Sequence, residues 1–190
     1  MDTIRQIITK QLQESAKIKQ ELLDKNLEII EKIAIILTDK VKSGKKILFC
    51  GNGGSAADCQ HLAAELIAKL KYYRKAIPAL ALTTDTSVIT AISNDDGFDK
   101  IFKRQVESFG NENDVLIGIS TSGHSQNIIK AVEQAKKQNL FIIILTGKDG
   151  GKLQTMADIA LIVPSHNTQR IQECHITLGH IICDIIEQSI

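Results

Sequence analysis

Apolar and polar positions change rhythm once along this chain, close to Gly44. Before it, Ile4, Ile7, Ile8, Leu12, Leu22 and Leu23 recur at roughly helical spacing among charged residues, as on an amphipathic helix. Leu27, Ile30, Ile33, Ile36 and Leu37 repeat that character, and Ser43-Gly44 closes it. The pattern predicts two leading helices, over 4–23 and 26–41. They are more than a small sheet needs, so they pack either against another subunit or across the end of the sheet.

After Gly44 short aliphatic runs take over, at 47–50, 78–83, 115–119, 141–146 and 159–163. Runs apolar on both faces, with helical segments between them, indicate a parallel sheet with crossover helices. Those helices are predicted at 56–70, 87–92, 98–109, 127–138 and 151–156, with a last one at 168–188. The expectation is one α/β domain over 1–190: a helical pair in 1–43, then a core in 44–190 with five parallel strands and helices on both sides. Its chemistry should lie beyond the strand C-termini.

Composition narrows the classes. With 23 basic and 22 acidic residues the net charge is +1, so neither nucleic acid nor an anionic membrane is expected as a partner. Aromatics make up 4% and Trp is absent, which argues against base-stacking platforms. Met1-Asp2-Thr3-Ile4-Arg5-Gln6 lacks the basic start and apolar stretch of a signal peptide. Cys50, Cys59, Cys174 and Cys183 show no CxxC spacing, and Cys50 and Cys183 read as small core residues. The expectation is a soluble, cytoplasmic protein with reduced thiols.

Two loops at strand ends carry the strongest signals. The run 115–119 stops in Ser120-Thr121-Ser122-Gly123-His124-Ser125 before a helical pattern begins at Gln126. A strand ending at a helix N-terminus presents free backbone N–H groups and the positive end of the dipole to an anion. The hydroxyls of Ser120, Thr121, Ser122 and Ser125 add donors without charge and suit a sugar phosphate. The other reading is a serine-rich turn with an N-cap. Gly51-Asn52-Gly53-Gly54-Ser55-Ala56 satisfies G-x-G-x-x-A, but no acidic residue follows about 20 positions on, where Lys71-Tyr72-Tyr73-Arg74-Lys75 stands. A close approach to a smaller ligand fits better, and no nucleotide cofactor is expected. Asn94-Asp95-Asp96-Gly97 offers groups for sugar hydroxyls, or an Asx turn. Thr146 to Gly151 reads as turn chemistry.

For proton transfer or metal binding, His61 and Glu65 stand four residues apart on the helix that opens at the glycine loop, sharing a face. Gln172 and His180 lie on the last helix, roughly 80° apart around its axis. Both pairs interrupt apolar helices, where polar groups need partners. The set can supply nitrogen and oxygen ligands to zinc, or an acid–base pair with supporting hydrogen bonds. His124, His166 and His175 read as two loop residues and a helix residue.

Together these residues resemble the SIS domain (sugar isomerase) family, in its phosphoheptose isomerase branch. The resemblance covers essentially the whole chain. It rests on Cys50-Gly51-Asn52-Gly53-Gly54-Ser55, His61-x-x-x-Glu65, Asn94-Asp95, Gly118 to Gly123, Leu145 to Gly151, Arg170-Ile171-Gln172-Glu173 and His180. It implies a flavodoxin-like three-layer sandwich, assembled as a homotetramer with active sites at subunit contacts. It implies isomerisation of sedoheptulose 7-phosphate to D-glycero-D-manno-heptose 7-phosphate, for the heptoses of lipopolysaccharide and related bacterial surface glycans. By position, Ser120, Thr121, Ser122 and Ser125 would hold the phosphate, and Asn52, Gly53, Gly54, Asn94, Asp95 and Gln172 the sugar. Glu65 and His180 would be catalytic, and His61, Glu65, Gln172 and His180 would hold one zinc per subunit. Lys69 and Gln169 depart from the Arg and Asp expected there, and Lys lacks the forked donor geometry of Arg. A non-catalytic branch, a tetrameric partner of the bacterial replication initiator, shares the glycine loop and the Arg-Ile-Gln-Glu run. That branch lacks the carboxylate and histidine matching Glu65 and His180. An isomerase of another sugar phosphate is the remaining alternative.

Overall fold

The computed structural model describes residues 2–190, so Met1 of the leading segment lies outside them. Helix α1 spans Ile4–Lys42, 39 residues, or about 58 Å at 1.5 Å per residue. The predicted pair of helices is therefore a single helix. No Gly or Pro interrupts it, and Asp24 and Asn26, where the break was expected, cost a helix only tenths of a kcal/mol each, up to about 0.7. Bonds four residues apart bridge that point, Gln20 Nε2 to Asp24 Oδ1 at 2.9 Å and Lys25 Nζ to Glu21 Oε2 at 3.4 Å. Thr3 and Gln6 form a reciprocal capping box at its start.

The sheet contains β1 (Ile47–Gly51), β2 (Ala79–Ala81), β3 (Val115–Ser120), β4 (Phe141–Gly147) and β5 (Ile159–Val163), all parallel, in the order β2-β1-β3-β4-β5. Between them come α2 (Gly54–Ile67), α3 (Thr86–Asp95), a 3-10 turn (Phe98–Lys100), α4 (Ile101–Phe109), α5 (Gln126–Lys137) and α6 (Gly151–Gln154); α7 (Thr168–Gln188) follows β5. Strand side chains alternate between two apolar cores, as the period of two requires. Ile47, Phe49, Val115, Ile117, Ile143 and Leu145 pack with Leu37, Leu62 and Leu178, under α1, α2 and α7. Leu48, Cys50, Leu116, Ile142 and Ile144 pack with Phe102, Ile128 and Leu153, under α4, α5 and α6. All four cysteines are free and buried.

This order changes direction between β1 and β3, so the loops leaving those two strands flank a crevice at their C-terminal ends, where open α/β sheets bind ligands. The glycine loop and the serine-rich loop are those two loops.

Helix α2 stops at Ile67, three residues before the predicted end. The cause is Glu187 of α7, whose carboxylate accepts the N–H groups of Leu70, Lys71 and Tyr72 at 2.9, 2.6 and 3.1 Å. Burial alone would push this carboxyl up. The three N–H bonds and nearby Arg74 outweigh it and hold the group below the usual carboxylate range.

Candidate functional site

Helices α2 and α7 approach closely because Gly179 has no side chain: a Cβ there would run into Leu62. His61 and His180 are the chain neighbours of those two residues, so the contact that packs the helices also brings the imidazoles together. Their Nε2 atoms stand 2.7 Å apart, with ring planes at 75°. Glu65, one turn along α2, places Oε1 3.1 Å from His61 Nε2. One donor atom each from His61, Glu65 and His180 lies within 4.8 Å of the other two. The Glu65 side chain is 19% exposed and that of His61 49%, so the cluster opens to the surface.

Donors on a tetrahedral zinc with bonds near 2.0–2.1 Å stand about 3.4 Å apart. Two imidazoles and a carboxylate already at 2.7 and 3.1 Å fit such an ion in number, type and spacing. Gln172 extends from α7 to the start of α2 in this protomer. A Cβ on Gly54 would come 2.6 Å from its Nε2, so its amide lies on the glycine loop. Eight residues of α7, about 12 Å of rise, separate it from His180.

Asp58 was not identified by sequence reasoning. It stands one turn before His61, and its Oδ2 is buried without a partner. Burial pushes its carboxyl up, and His61 and His180 pull it partly back. Helical spacing to His61 was the signal available for it.

In the serine-rich loop, Ser120 is buried, while Thr121, Ser122 and Ser125 are half-buried. Ser120 Oγ pairs with Ser125 Oγ at 3.0 Å and accepts the N–H of Gly123 at 3.2 Å. Ser125 is the N-cap residue of α5, yet its hydroxyl makes no capping bond to the helix. The turn after β4 supports this loop from behind. Leu153 N–H donates to Gly123 O at 3.0 Å, and a Cβ on Gly151 would lie 2.6 Å from Ser122 O. Thr146 to Gly151 thus acts as a backbone buttress.

Asn52 of the glycine loop is bonded to Asn127 of α5, a residue sequence reasoning also missed. Gly53 has φ +54°, a conformation that favours glycine. Asn94 and Asp95 end α3 on the surface, with Asn94 Nδ2 on Asp95 Oδ1 at 2.8 Å. Helix α3 packs on the 3-10 turn and α4, in the layer opposite α7. One protomer therefore does not bring Asn94 and Asp95 to the His/Glu cluster. Lys69 Nζ rests 3.8 Å from the ring centre of Tyr73, and Gln169 is exposed in the first turn of α7. His124 and His166 are exposed, whereas His175 is fully buried with Nε2 on Thr146 O at 3.1 Å.

The chain and its fold are similar to known proteins. The SIS domain family profile matches residues 11–147. A phosphoheptose isomerase of Sulfurimonas denitrificans is 49% identical over 98% of this chain and 97% of its own. The solved structure of the phosphoheptose isomerase from Neisseria gonorrhoeae superposes with a TM-score of 0.92 at 45% identity, covering 98% of this chain and 100% of that one. A phosphoheptose isomerase from Francisella tularensis gives 0.95 at 40% identity, with the same coverage. By family profile, by identity over nearly its whole length and by its fold, this chain belongs to the SIS domain family, among the phosphoheptose isomerases.

Proposed function

We infer that this isomerase interconverts sedoheptulose 7-phosphate and D-glycero-D-manno-heptose 7-phosphate through an enediol(ate), with Glu65 as the base. The observation that carries the reading is the carboxylate of Glu65 beside two imidazoles, all three donors within 4.8 Å. Ketose-to-aldose conversion moves one proton from C1 to C2, and a single carboxylate can take it up and return it. His180 moves or holds protons among the substrate oxygens. The hydroxyls of Ser120, Thr121, Ser122 and Ser125 and the α5 N-terminus hold the phosphate. That grip is remote from the reacting carbons and supplies binding energy to place C1 over Glu65. Asn52, Gly53, Gly54, Asn94, Asp95 and Gln172 line the sugar.

The donor set supports one zinc per subunit on His61, Glu65 and His180, with Gln172 as the fourth ligand. Zinc supplies Lewis acidity toward a sugar oxygen when bound. Because Asn94 and Asp95 end a helix in the layer opposite α7 within one protomer, the complete site is built where copies of the chain meet, in a homotetramer. The apolar surface of α1, with Ile4, Ile8, Leu12, Leu23 and Leu27 all at least half exposed, supports that assembly. Among the described residues no helix is long and apolar enough to cross a membrane. The proposed role is that of a cytoplasmic enzyme feeding heptose to bacterial surface glycans.

Turnover of sedoheptulose 7-phosphate by the parent and by Glu65→Gln, each with and without a zinc chelator, tests this. Glu65→Gln is expected to lose about 10²–10⁴-fold in kcat, the range for a general base, while substrate binding persists in calorimetry. Near-parental turnover in that variant would remove Glu65 from the role. Undiminished activity in a chelated, zinc-free sample would remove the metal.

A further inference from the structure

We propose that Asn127 is a positioning residue: it locks the side-chain amide of Asn52 across the β1/β3 crevice, so that the glycine loop and the phosphate loop act as one pre-set surface. The inference rests on the reading of the serine-rich loop as the phosphate site.

The two amides face each other in a reciprocal pair. Asn52 Nδ2 donates to Asn127 Oδ1 at 3.0 Å, and Asn127 Nδ2 donates to Asn52 Oδ1 at 2.7 Å. A third bond fixes which atom of the Asn127 amide is the oxygen. The backbone N–H of Ile128 donates to Asn127 Oδ1 at 3.0 Å, so that atom must be the oxygen, and the direction of both bonds follows. Asn127 is 3% exposed, and a buried amide with its partners removed costs the full desolvation of its polar atoms. Its rotamer is therefore strongly held.

Position gives the pair its role. Asn52 directly follows the last residue of β1, Gly51, and Asn127 is the second residue of α5, just beyond the hydroxyls after β3. Strands β1 and β3 are neighbours in the sheet, with Gly51 opposite Ile119. The amide pair is thus a rung between the two loops that flank the crevice. Gln172 closes on Gly54 from α7, so the glycine loop is braced on both sides. An amide has two donors and two acceptor positions, and the pair uses one of each on Asn52. The remaining N–H and lone pair are held in a fixed orientation for a sugar hydroxyl.

A double-substitution cycle with Asn52→Ala, Asn127→Ala and both together tests this, reading inorganic phosphate binding by calorimetry and kcat/KM for sedoheptulose 7-phosphate. Each single change is expected to weaken phosphate binding about fivefold or more, a coupling typical of residues in contact. The double variant should be no worse than the weaker single. Additive losses would show that Asn127 only starts α5, and would overturn the proposal. So would phosphate affinity within twofold of the parent in Asn52→Ala, or no phosphate binding by the parent. If Asn127→Ala is insoluble, Asn127→Ser replaces it, since serine suits a helix start but is too short to pair with Asn52; melting temperatures accompany every arm. Failure of the parent to turn over the heptose phosphate would sink the proposed activity alone, because the phosphate cycle is read without turnover.

Discussion

Burial of the His175 imidazole, with Nε2 on the Thr146 carbonyl, pushes its pKa down from 6.5 to about 4, because the charged form would lose its hydration. In the unfolded chain the same group takes up a proton near pH 6.5. Between those values the unfolded state binds more protons, so stability from this site is full above pH 6.5 and falls as the pH drops toward 4. The whole window is worth about 3 kcal/mol. Urea midpoints measured at pH 7 and pH 4.5 should therefore fall more steeply for the parent than for His175→Gln, and equal slopes in the two proteins would contradict the assignment. In the sequence, His175 is one more polar residue on an apolar helix, like His180. Only the packing separates a sealed core histidine from one at the surface cluster.

At the scale of elements, loop shape depends on backbones that touch. Gly123 has φ +67°, and a Cβ there would collide with the carbonyl of Gly150. Gly123→Ala is expected to cost about 1–3 kcal/mol in strain and to loosen phosphate binding along with it. A melting temperature and a phosphate affinity both equal to the parent's would show that the buttress is dispensable. The strands and the helices between them were legible from aliphatic runs and turn residues, because burial on both faces leaves a plain pattern. Several boundaries were not: β2 shrinks to Ala79–Ala81, α3 runs on to Asp95, and the helix expected at 98–109 opens with a 3-10 turn. Helix α1 runs through a predicted break that is polar but contains no breaker, and α2 stops early because Glu187, more than 100 residues later, takes its next N–H groups. Contacts of that separation leave no local trace.

For the whole molecule, the first half of α1 carries apolar residues that nothing in the protomer covers, including Ile4 at 79% and Leu12 at 67% exposure. A lone globular protein seldom shows such a stripe on one helix. The parent should have the mass of a tetramer in light scattering at micromolar concentration. Ile8→Asp with Leu12→Asp should shift it to smaller species and lose activity in step, because the proposed assembly completes each site with groups from a neighbouring copy. A monomeric parent with full activity would contradict this assembly.

By itself the sequence determined the α/β class, the five strands, the glycine and serine-rich turns at two strand ends, and the side chains chemically able to move a proton or hold a metal. Each of these follows from local periodicity, turn chemistry or residue type, which are properties of neighbours along the chain. The tertiary structure alone decided which of those side chains meet. His61 and His180, 119 residues apart, come to 2.7 Å because Gly179 lets α7 close on α2. Asn127, unremarked in the sequence, became a partner of Asn52 because adjacent parallel strands deliver their loops to the same edge. Spacing along a chain fixes which groups share a helix face, but distance between helices is set by packing.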